Sequence, residues 1–337
     1  MSFTPLSFLS VGLATLAAFV TVLLMIKLNV KDSPDSRSSH KHVTPTSGGL
    51  AVVAALLVMS IAGGGESVVL LACVLVIASL GLYDDIHPLN PALKLTVMMG
   101  VALVTAYHLP PISKLQLTEI YALTVPAWLG MCFACIWIIV LMNAVNFMDG
   151  SNGMLVCLIL PAAISLTVLS YALGSFISAW AIALVIGLAV FGLFNVRRSA
   201  KIFAGDAGSL SVGYSLAVTS LNAAALIVSG QAPYWLAFLI WPILLDVFLT
   251  LLRRARAGKA LGQAHNEHLY QRYIQTGRSH LSVSLIYGLI STACIILGAV
   301  LMAQPIYVLQ IGLVLMLILS VVIYLRLYKK AMNILAS

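Results

Sequence analysis

The feature that most constrains this chain is a series of apolar stretches, each about 20 residues long, the length at which an α-helix crosses a bilayer. Eleven such stretches lie at 7–27, 48–64, 66–82, 93–109, 124–144, 153–172, 175–194, 208–229, 234–252, 282–302 and 304–326. We therefore predict an all-α, polytopic membrane helix bundle with 11 transmembrane helices. Residues 1–337 are expected to form a single domain, because no long soluble segment separates the stretches.

Composition excludes a water-soluble protein and a β-barrel. The chain is 61% hydrophobic and only 8% charged, which is typical of polytopic membrane proteins. Its aromatic content is 8%, so the apolar mass consists of Leu, Val, Ile and Ala, as in helix bundles rather than barrels.

The distribution of positive charge predicts the orientation. With eleven spans, Lys114 alone among the 18 basic residues falls on the side opposite the others. The positive-inside rule makes the crowded side cytoplasmic, with the N-terminus periplasmic and the C-terminus cytoplasmic. The cytoplasmic loops that we expect to form the active site are 28–47, 83–92, 145–152, 195–207 and 253–281.

Carboxylates placed where apolar stretches meet this side are the first functional candidates, because charge is costly at membrane depth. Asp84 and Asp85 end one stretch and are followed by Lys94. Neighbouring carboxylates can share a divalent cation or set up one of the pair as a base. A solvated helix end is the alternative, but a helix C-terminus disfavours negative charge.

A second motif is N-x-x-N-x-x-D-G. Asn143, Asn146 and Asp149 recur every third residue, which places them on one face of a helix end. A structural cap accounts for Asn152 and Gly153 but not for three polar residues on an otherwise apolar helix. We therefore expect a functional role for Asn143, Asn146 and Asp149.

A third motif, G-D-x-G-S, contains Asp206 and follows Arg197, Arg198 and Lys201. Asp206 could simply cap the following helix. A helix N-terminus beside glycines and basic residues is equally a phosphate site, and an aspartate there could bring Mg²⁺ to the phosphate.

The fourth motif is A-H-N-E-H-L-Y-Q-R, with His265, His268 and Arg272. Two histidines three residues apart suggest zinc, but neither an H-E-x-x-H pattern nor a nearby thiolate accompanies them. Donors to phosphate oxygens fit these residues better. Most of the basic run from Arg253 to Lys259 is interpreted as a topology signal.

The ordered motifs D-D, N-x-x-N-x-x-D-G, G-D-x-G-S and H-x-x-H resemble the polyprenyl-phosphate N-acetylhexosamine-1-phosphate transferases, or glycosyltransferase family 4. The resemblance runs from about residue 35 to residue 272. It includes the loop Asp35–His40 and the pair Pro242 and Asp246 before Arg253. The A-H-x-x-H-x-Y-Q-R segment is most similar to the branch that initiates O-antigen synthesis.

This resemblance implies an enzyme of the bacterial inner membrane that transfers a sugar-1-phosphate from a UDP-sugar to undecaprenyl phosphate and releases UMP. It implies Mg²⁺, or Mn²⁺, with Asp206 and Asp149 as ligands. Asp84, Asp85 and Asp206 would be catalytic. Substrate would be bound by Lys94, Asn143, Asn146, Asp149, Asn152, His265, His268 and Arg272. Asp246 would either orient a basic group or pack between helices. A homodimer is left open, and no nucleic-acid partner is expected.

Two departures bear on the sugar donor. Relatives often have D-G-x-D-G where this chain has Asn152, and an Arg with a further Gly where it has Thr46 and Ser47. The donor therefore stays open between O-antigen-type initiation and a UDP-GlcNAc-specific enzyme. An ion-coupled secondary transporter is the rival class, but transporters place their acids near the midplane in repeated halves. Here the acids cluster at one boundary.

Overall fold

The computed structural model describes residues 8–29, 31–32, 44–63, 68–174, 178–227, 229–260, 262 and 265–337. These residues form thirteen helices and two antiparallel two-stranded ribbons. The helices are α1 Phe8–Leu28, α2 Leu50–Ala62, α3 Val68–Ile86, α4 Pro91–His108, α5 Ala127–Met148, α6 Met154–Ala172, α7 Ser178–Asn195, α8 Gly205–Leu226, α9 Ala232–Leu239, α10 Trp241–Arg256, α11 Leu269–Gln275, α12 His280–Met302 and α13 Ile306–Ala336. The strands are β1 Lys31–Asp32, β2 Thr44–Pro45, β3 Lys114–Gln116 and β4 Ala122–Thr124.

The prediction of a polytopic α-helical membrane protein is confirmed. Among the described helices, eight are long and apolar enough to cross a membrane, and α9 with α10 form a ninth, bent candidate. The predicted second and fourth spans correspond to α2, which has 13 residues, and to α4, which has 18. The count of eleven and the sides of the two termini stay predictions.

The expected ninth helix, 234–252, is wrong as a continuous element. The axes of α9 and α10 differ by 78°, and Ile240 between them has a non-helical backbone. Pro242 lies in the first turn of α10. Proline has no N–H group and clashes with the preceding helical turn, so it is accommodated most easily at a helix start. The chain bends at this point.

The helices reach further into the polar motifs than the apolar windows indicated. α3 continues to Ile86, α5 continues to Met148, and α8 begins at Gly205. The loops expected at 83–92, 145–152 and 195–207 are therefore shorter than predicted. Asp84, Asp85 and Asp206 lie in terminal helical turns, where the backbone fixes their positions more firmly than a loop would.

Helix α8 is the centre of the bundle, although it is the least apolar of the eight long helices. It packs against α3 and α5, with α2, α6 and α7 completing its surroundings. Its hydroxyl side chains donate to backbone carbonyls one turn earlier, as Ser211 does to Ala207 and Ser215 to Ser211. Small residues let helix backbones approach closely in membranes, and this explains how a polar helix comes to be enclosed.

The two ribbons were not predicted, because strands of two or three residues leave no periodic signal. β1 pairs with β2, and β3 pairs with β4 in a hairpin that contains Lys114. The hairpin is tied to the helices by Tyr234, whose hydroxyl donates to the carbonyl of Gln116. Glu119, in the turn of the hairpin, accepts the backbone N–H group of Ile306 at the start of α13.

Candidate active site

Four helix ends bring an ionic cluster together. The Lys94 ammonium donates to Asp84 Oδ2 at 3.0 Å and also to the carboxylate of Asp206. Asn146 Nδ2 donates to the other oxygen of Asp206 at 2.7 Å and to Ser209 at 2.9 Å. Residues of the first three motifs, which are about 60 or more positions apart in sequence, therefore meet at one end of the bundle.

Asp85 has a different environment from its neighbour Asp84. Asp85 Oδ1 accepts the backbone N–H group of Asp206 at 2.8 Å, and Oδ2 accepts that of Ala207 at 3.3 Å. The hydroxyl of Ser47 donates to the same Oδ2 at 2.7 Å. Asp85 is thus the N-terminal cap of α8, supplied by α3, whereas Asp206 makes no side-chain cap of its own helix.

Close backbone packing makes this cap possible. A Cβ atom on Gly81 would lie 2.4 Å from the backbone nitrogen of Ala207, so α3 and α8 cross where only glycine fits. Gly205, with φ of 70°, turns the chain into α8 immediately beforehand. The segment before α2 pairs with this turn, because Gly48 N donates to the Phe203 carbonyl and Phe203 N to that of Pro45.

The departures at Thr46, Ser47 and Asn152 have structural roles. Thr46 and Ser47 are buried beside the G-D turn, and Ser47 holds Asp85. Asn152 Nδ2 donates to the carbonyls of Arg197 and Arg198, at 3.3 and 3.1 Å. An aspartate could not donate these bonds. The structure therefore places Asn152 as a brace for the loop after α7.

Asn143 lies one turn before Asn146 on α5. Its amide donates to the carbonyl of Ile139 in the same helix, at 2.8 Å. The structure therefore does not bring Asn143 to the carboxylate cluster through a direct bond. Of the two asparagines predicted on this face, Asn146 is the one that contacts Asp206.

The segment from His265 to Arg272, called the basic loop, is supported by Asp246, which is only 2% exposed. Its carboxylate accepts the backbone N–H groups of Leu269 and Tyr270, at 2.9 and 3.3 Å, and so caps α11. The Tyr287 hydroxyl donates to it at 2.7 Å. His268 Nδ1 lies 3.4 Å from the same carboxylate, within ion-pair distance but too long for a good hydrogen bond. Asp246 therefore caps the helix that carries Arg272 and lies beside His268, and its expected role of orienting a basic group stays a prediction.

Part of the basic run before this loop is structural. Arg254 is 4% exposed, and its guanidinium donates to Glu267 Oε1 at 2.8 Å. Arg253 donates to the Glu267 backbone carbonyl at 2.6 Å, and Lys259 to its carboxylate at 2.8 Å. Although burial raises the pKa of Glu267, the hydrogen bond from Lys259 and the charges of Lys259 and Arg254 hold it below its ordinary value. A pure topology signal is thus wrong for these three residues.

Tyr270 connects the basic loop to the end of α5. Its hydroxyl donates to the carbonyl of Phe147 at 3.1 Å. A Cβ atom on Gly150 would lie 2.3 Å from that hydroxyl, so the turn accommodates Tyr270 only because residue 150 is glycine. Burial, followed by the charges of Asp246 and Asp149, raises the pKa of Tyr270. Asp149, the C-cap of α5, therefore lies beside the basic loop.

The rings of the two histidines lie in contact, with centroids 4.9 Å apart and planes tilted by 33°. Burial lowers the pKa of His265 to about 4, and the nearby charges of His268 and Arg254 act in the same direction. His265 is therefore neutral at pH 7 and can donate or accept a hydrogen bond without carrying charge. Arg272 lies on α11, where one of its nitrogens donates to Gln275 at 2.9 Å.

A divalent cation fits the carboxylate cluster through two ligands. Within the described residues, no group of three or more His, Cys, Asp or Glu side chains is arranged to hold a metal. Asp84 and Asp206 nevertheless converge on a single cation, the Lys94 ammonium. Mg²⁺ is usually held by one or two carboxylates together with substrate phosphate oxygens and water. Around the histidines, the part of the chain that the structure describes supplies neither thiolates nor a closed ligand set for zinc.

Several contributing residues were missed from the sequence. Asn195 accepts the N–H group of Gly153 and donates to the carbonyl of Ile202, so it shapes the loop before Asp206. Tyr287 holds Asp246 from α12, outside any motif. Ser47 and Tyr270 lay within quoted motif segments but received no role. The loop residues Asp35–His40, and Ala264 of the fourth motif, lie outside the described residues.

Comparison with known proteins agrees with this geometry. Residues 67–224 match the profile of the family described as Glycosyl transferase family 4. The chain is 28% identical to the probable undecaprenyl-phosphate N-acetylglucosaminyl 1-phosphate transferase of Bacillus subtilis (strain 168), over 81% of this chain and 80% of that protein. It is 29% identical to the decaprenyl-phosphate N-acetylglucosaminephosphotransferase of Mycobacterium leprae (strain TN), over 81% and 78%.

A third relative acts on a different donor by its name. The phospho-N-acetylmuramoyl-pentapeptide-transferase of Lactiplantibacillus plantarum (strain ATCC BAA-793 / NCIMB 8826 / WCFS1) is 31% identical, over 54% of this chain and 62% of that protein. All three relatives are bacterial, and the described helices are those of a multi-pass membrane protein. With its ordered motifs joined at one end of the bundle, the chain is similar to glycosyl transferase family 4 over residues 67–224, and to polyprenyl-phosphate N-acetylglucosamine-phosphate transferases over about four fifths of its length.

Proposed function

We propose that this protein transfers an N-acetylhexosamine-1-phosphate from a UDP-sugar to undecaprenyl phosphate and releases UMP. An oxygen of the lipid phosphate attacks the phosphorus that bears the sugar. The bond from that phosphorus to the bridging oxygen breaks, and its electron pair leaves with UMP. The product is a lipid diphosphate carrying the sugar.

The observation that carries this proposal is the convergence of Asp84 and Asp206 on one cation, Lys94. Two anionic phosphates must approach each other in this reaction, so their charge has to be neutralised where they meet. A convergent pair of carboxylates at the end of a membrane bundle supplies a place for a divalent cation. Lys94 adds a fixed positive charge at the same point.

The two neighbouring acids have different roles in this proposal. Asp206 and Asp84 would hold Mg²⁺, with Mn²⁺ as a substitute, and the ion would neutralise phosphate charge and polarise the attacked phosphorus. Asp84, which is partly accessible, would also accept a proton from the acceptor phosphate. Asp85 is a positioning residue, because its two oxygens are engaged by the backbone of α8 and by Ser47. Asn146 orients Asp206.

The basic loop would bind the diphosphate of the donor. His268 and Arg272 supply N–H donors to phosphate oxygens, while neutral His265 supplies a hydrogen bond without charge. Tyr270 fixes this loop at the end of α5, close in sequence to Asn146, which bonds Asp206. The loop and the carboxylate cluster are therefore joined through one helix end. Asp149, beside Tyr270, would contact the nucleotide or the metal.

The names of the relatives favour UDP-GlcNAc as the donor, since two of them are N-acetylglucosamine-phosphate transferases. The A-H-x-x-H-x-Y-Q-R segment supports initiation of an O-antigen-type glycan. The two statements are compatible, because the first concerns the donor sugar and the second concerns the glycan built on it. The excess of basic residues beside the motifs supports an active site on the cytoplasmic face of the bacterial inner membrane.

The test is direct. The purified full-length protein is incubated with undecaprenyl phosphate, Mg²⁺ and, in turn, UDP-GlcNAc, UDP-GalNAc and UDP-MurNAc-pentapeptide, and UMP release is measured. We expect release with UDP-GlcNAc that depends on the acceptor lipid. A matched reaction without undecaprenyl phosphate controls for hydrolysis of the donor. Absence of acceptor-dependent UMP release with every UDP-sugar would refute the proposal.

A further inference from the structure

A long apolar groove lies between α10, α12 and α13, away from the carboxylate cluster. It has a volume of about 480 Å³. Its walls include Leu245 of α10, Val283, Ile290 and Cys294 of α12, and Met316 and Leu327 of α13. We call it the α10–α12–α13 groove.

The length of this groove matches one leaflet of a bilayer. Its apolar wall runs from Val283 to Cys294 on α12 and from Leu327 to Met316 on α13, twelve residues and therefore eleven helical steps on each helix. At a rise of about 1.5 Å per residue this corresponds to about 16 Å. Half of a hydrocarbon core of about 30 Å is about 15 Å. The groove therefore has the depth of a single leaflet.

Polar groups on the walls are already engaged with one another. The carboxylate of Asp246 accepts the hydroxyl of Tyr287, and the Trp241 indole donates to Ser320. The Tyr324 hydroxyl lies 3.0 Å from that of Thr250. What these walls present to a molecule in the groove is consequently apolar, as an acyl chain requires.

Positive charge stands at one end of the groove. Arg278, just before α12, and Lys330, near the end of α13, both line it and are exposed. Arg278 also lies over the ring of Tyr273. Asp246 is the acid among the lining residues, and its carboxylate is engaged by Tyr287 and the α11 backbone. Basic pockets between transmembrane helices bind anionic lipid headgroups.

The basic end of the groove is separate from the reacting groups. α10 packs against α5, which carries Asn146, and also against α12 and α13, which form the groove. Asp84, Lys94 and Asp206 lie on α3, α4 and α8, none of which lines the groove. A headgroup held by Arg278 and Lys330 would be bound by different residues from those at the carboxylate cluster.

We propose that the α10–α12–α13 groove binds an anionic phospholipid of the bilayer, with an acyl chain along the groove and the headgroup phosphate at Arg278 and Lys330. This site is distinct from that of the reacting lipid and does not rest on the transferase activity. The bound lipid contacts the part of the groove wall that contains Asp246 and Leu269. These two residues hold the basic loop in place. A lipid of the surrounding membrane would thereby support the position of α11.

The test is native mass spectrometry of the full-length protein, stripped of lipid and mixed with equal amounts of dioleoyl phosphatidylglycerol and dioleoyl phosphatidylcholine. We expect wild-type protein to retain phosphatidylglycerol preferentially. Arg278→Gln and Lys330→Gln should each reduce this preference by about fivefold, the factor for one basic contact at a membrane surface. The matched control Arg326→Gln with Lys329→Gln removes two exposed charges of α13 that do not line the groove, and it should keep the preference.

Two further measurements distinguish lipid binding in the groove from lipid binding at other sites. Ile290→Trp, which fills the groove, should abolish the phosphatidylglycerol adduct, whereas Leu297→Trp on the same helix should not. Undecaprenyl phosphate at equal concentration should bind together with phosphatidylglycerol. Displacement of phosphatidylglycerol would assign the groove to the reacting lipid and overturn the proposal. An equal loss of preference in the α13 control, or no preference in wild type, would also overturn it.

Discussion

Asp85 accepts the backbone N–H group of Asp206, so the acid that ends α3 caps the helix that begins with the other acid. This cap fixes the distance between the C-terminal end of α3 and the N-terminal end of α8. Asp84, one residue earlier, points its carboxylate to Lys94 instead. Adjacent helical residues differ by about 100° in direction, and here one acid of the pair binds the backbone of α8 while the other binds Lys94.

Asp85→Asn is expected to destabilise the protein more than Asp84→Asn. The asparagine keeps one acceptor oxygen but loses the charge and the second acceptor at the start of α8. Losing a charged hydrogen bond to a backbone N–H group costs about 1.5–3 kcal/mol. Thermal unfolding of both variants in the same detergent measures the difference. Equal midpoints for the two variants would show that Asp85 is not a structural cap.

Asp206→Asn tests the proposed metal site. The side chain keeps its shape and its bond from Asn146 but loses the charge that a hard cation requires. UMP release should fall by more than about 100-fold, the upper range for groups that only support a metal ligand. The protein should still insert and unfold near the wild-type temperature. Wild-type activity should also vanish with EDTA and return with Mg²⁺ or Mn²⁺, and persistence in EDTA would refute the metal assignment.

Donor binding by the basic loop should depend on Asp246 as well as on the hydrogen-bond donors of the loop itself. His268→Ala and Arg272→Ala remove proposed phosphate contacts, each with an expected cost of about 1.5–3 kcal/mol in transition-state stabilisation. Asp246→Asn leaves those donors in place but weakens the cap of α11, so it should raise KM for the UDP-sugar. UMP release at varied donor concentration separates these effects. Arg256→Ala, an exposed neighbour, is the control and should behave as wild type.

A pH dependence of stability follows from His265. Its folded-state pKa, lowered by burial to about 4, is below the ordinary value near 6.5. Between pH 6.5 and 4 the unfolded chain binds more protons at His265 than the folded protein does. The contribution of His265 to the free energy of unfolding therefore decreases as the pH falls through that window. The drop in unfolding temperature from pH 7.5 to 5 should be smaller in His265→Gln than in wild type. An identical drop in both proteins would contradict the assignment.

The orientation inferred from charge can be measured with reporter fusions. Fusions after residues 35, 89, 200 and 265 should report a cytoplasmic location, and one after residue 115 a periplasmic location. The reason is that, with eleven spans, Lys114 alone among the basic residues falls on the side assigned as periplasmic. A periplasmic signal from any of the first four fusions would separate motifs that the structure brings together.

The sequence indicated the polar cluster because, with eleven transmembrane spans, all the motifs fall on the same side of the membrane. Asp84, Lys94, Asn146 and Asp206 were all singled out in this way. The division of labour within the Asp84–Asp85 pair could not be predicted, because a sequence does not show which of two adjacent carboxylates faces α8. That choice is made by the crossing at Gly81, a residue inside an apolar run.

The support of the basic loop was harder to foresee. Asp246 accepts hydrogen bonds from Leu269 and Tyr270, which are more than 20 residues further along the chain. It also follows a bend at Ile240, which a window of apolar residues cannot distinguish from a straight helix. Tyr287 joins it from α12, a helix without a polar motif. Such contacts depend on how helices pack in space, which periodicity along one helix does not contain. The role of Asn152 was missed for the same reason, since its partners are backbone carbonyls 45 and 46 residues away.

The fit of Tyr270 against Gly150 links the evolution of two distant positions. A methyl group at position 150 would collide with the Tyr270 hydroxyl, whereas the next atoms, in Gln271 and the Tyr270 ring, lie 3.3 and 3.4 Å away. A chain that acquires alanine at position 150 can therefore keep this contact surface only if the hydroxyl at position 270 is lost. Phenylalanine there would make room but give up the bond to Phe147. The residues at positions 150 and 270 are therefore expected to change together, although 120 positions separate them in the sequence.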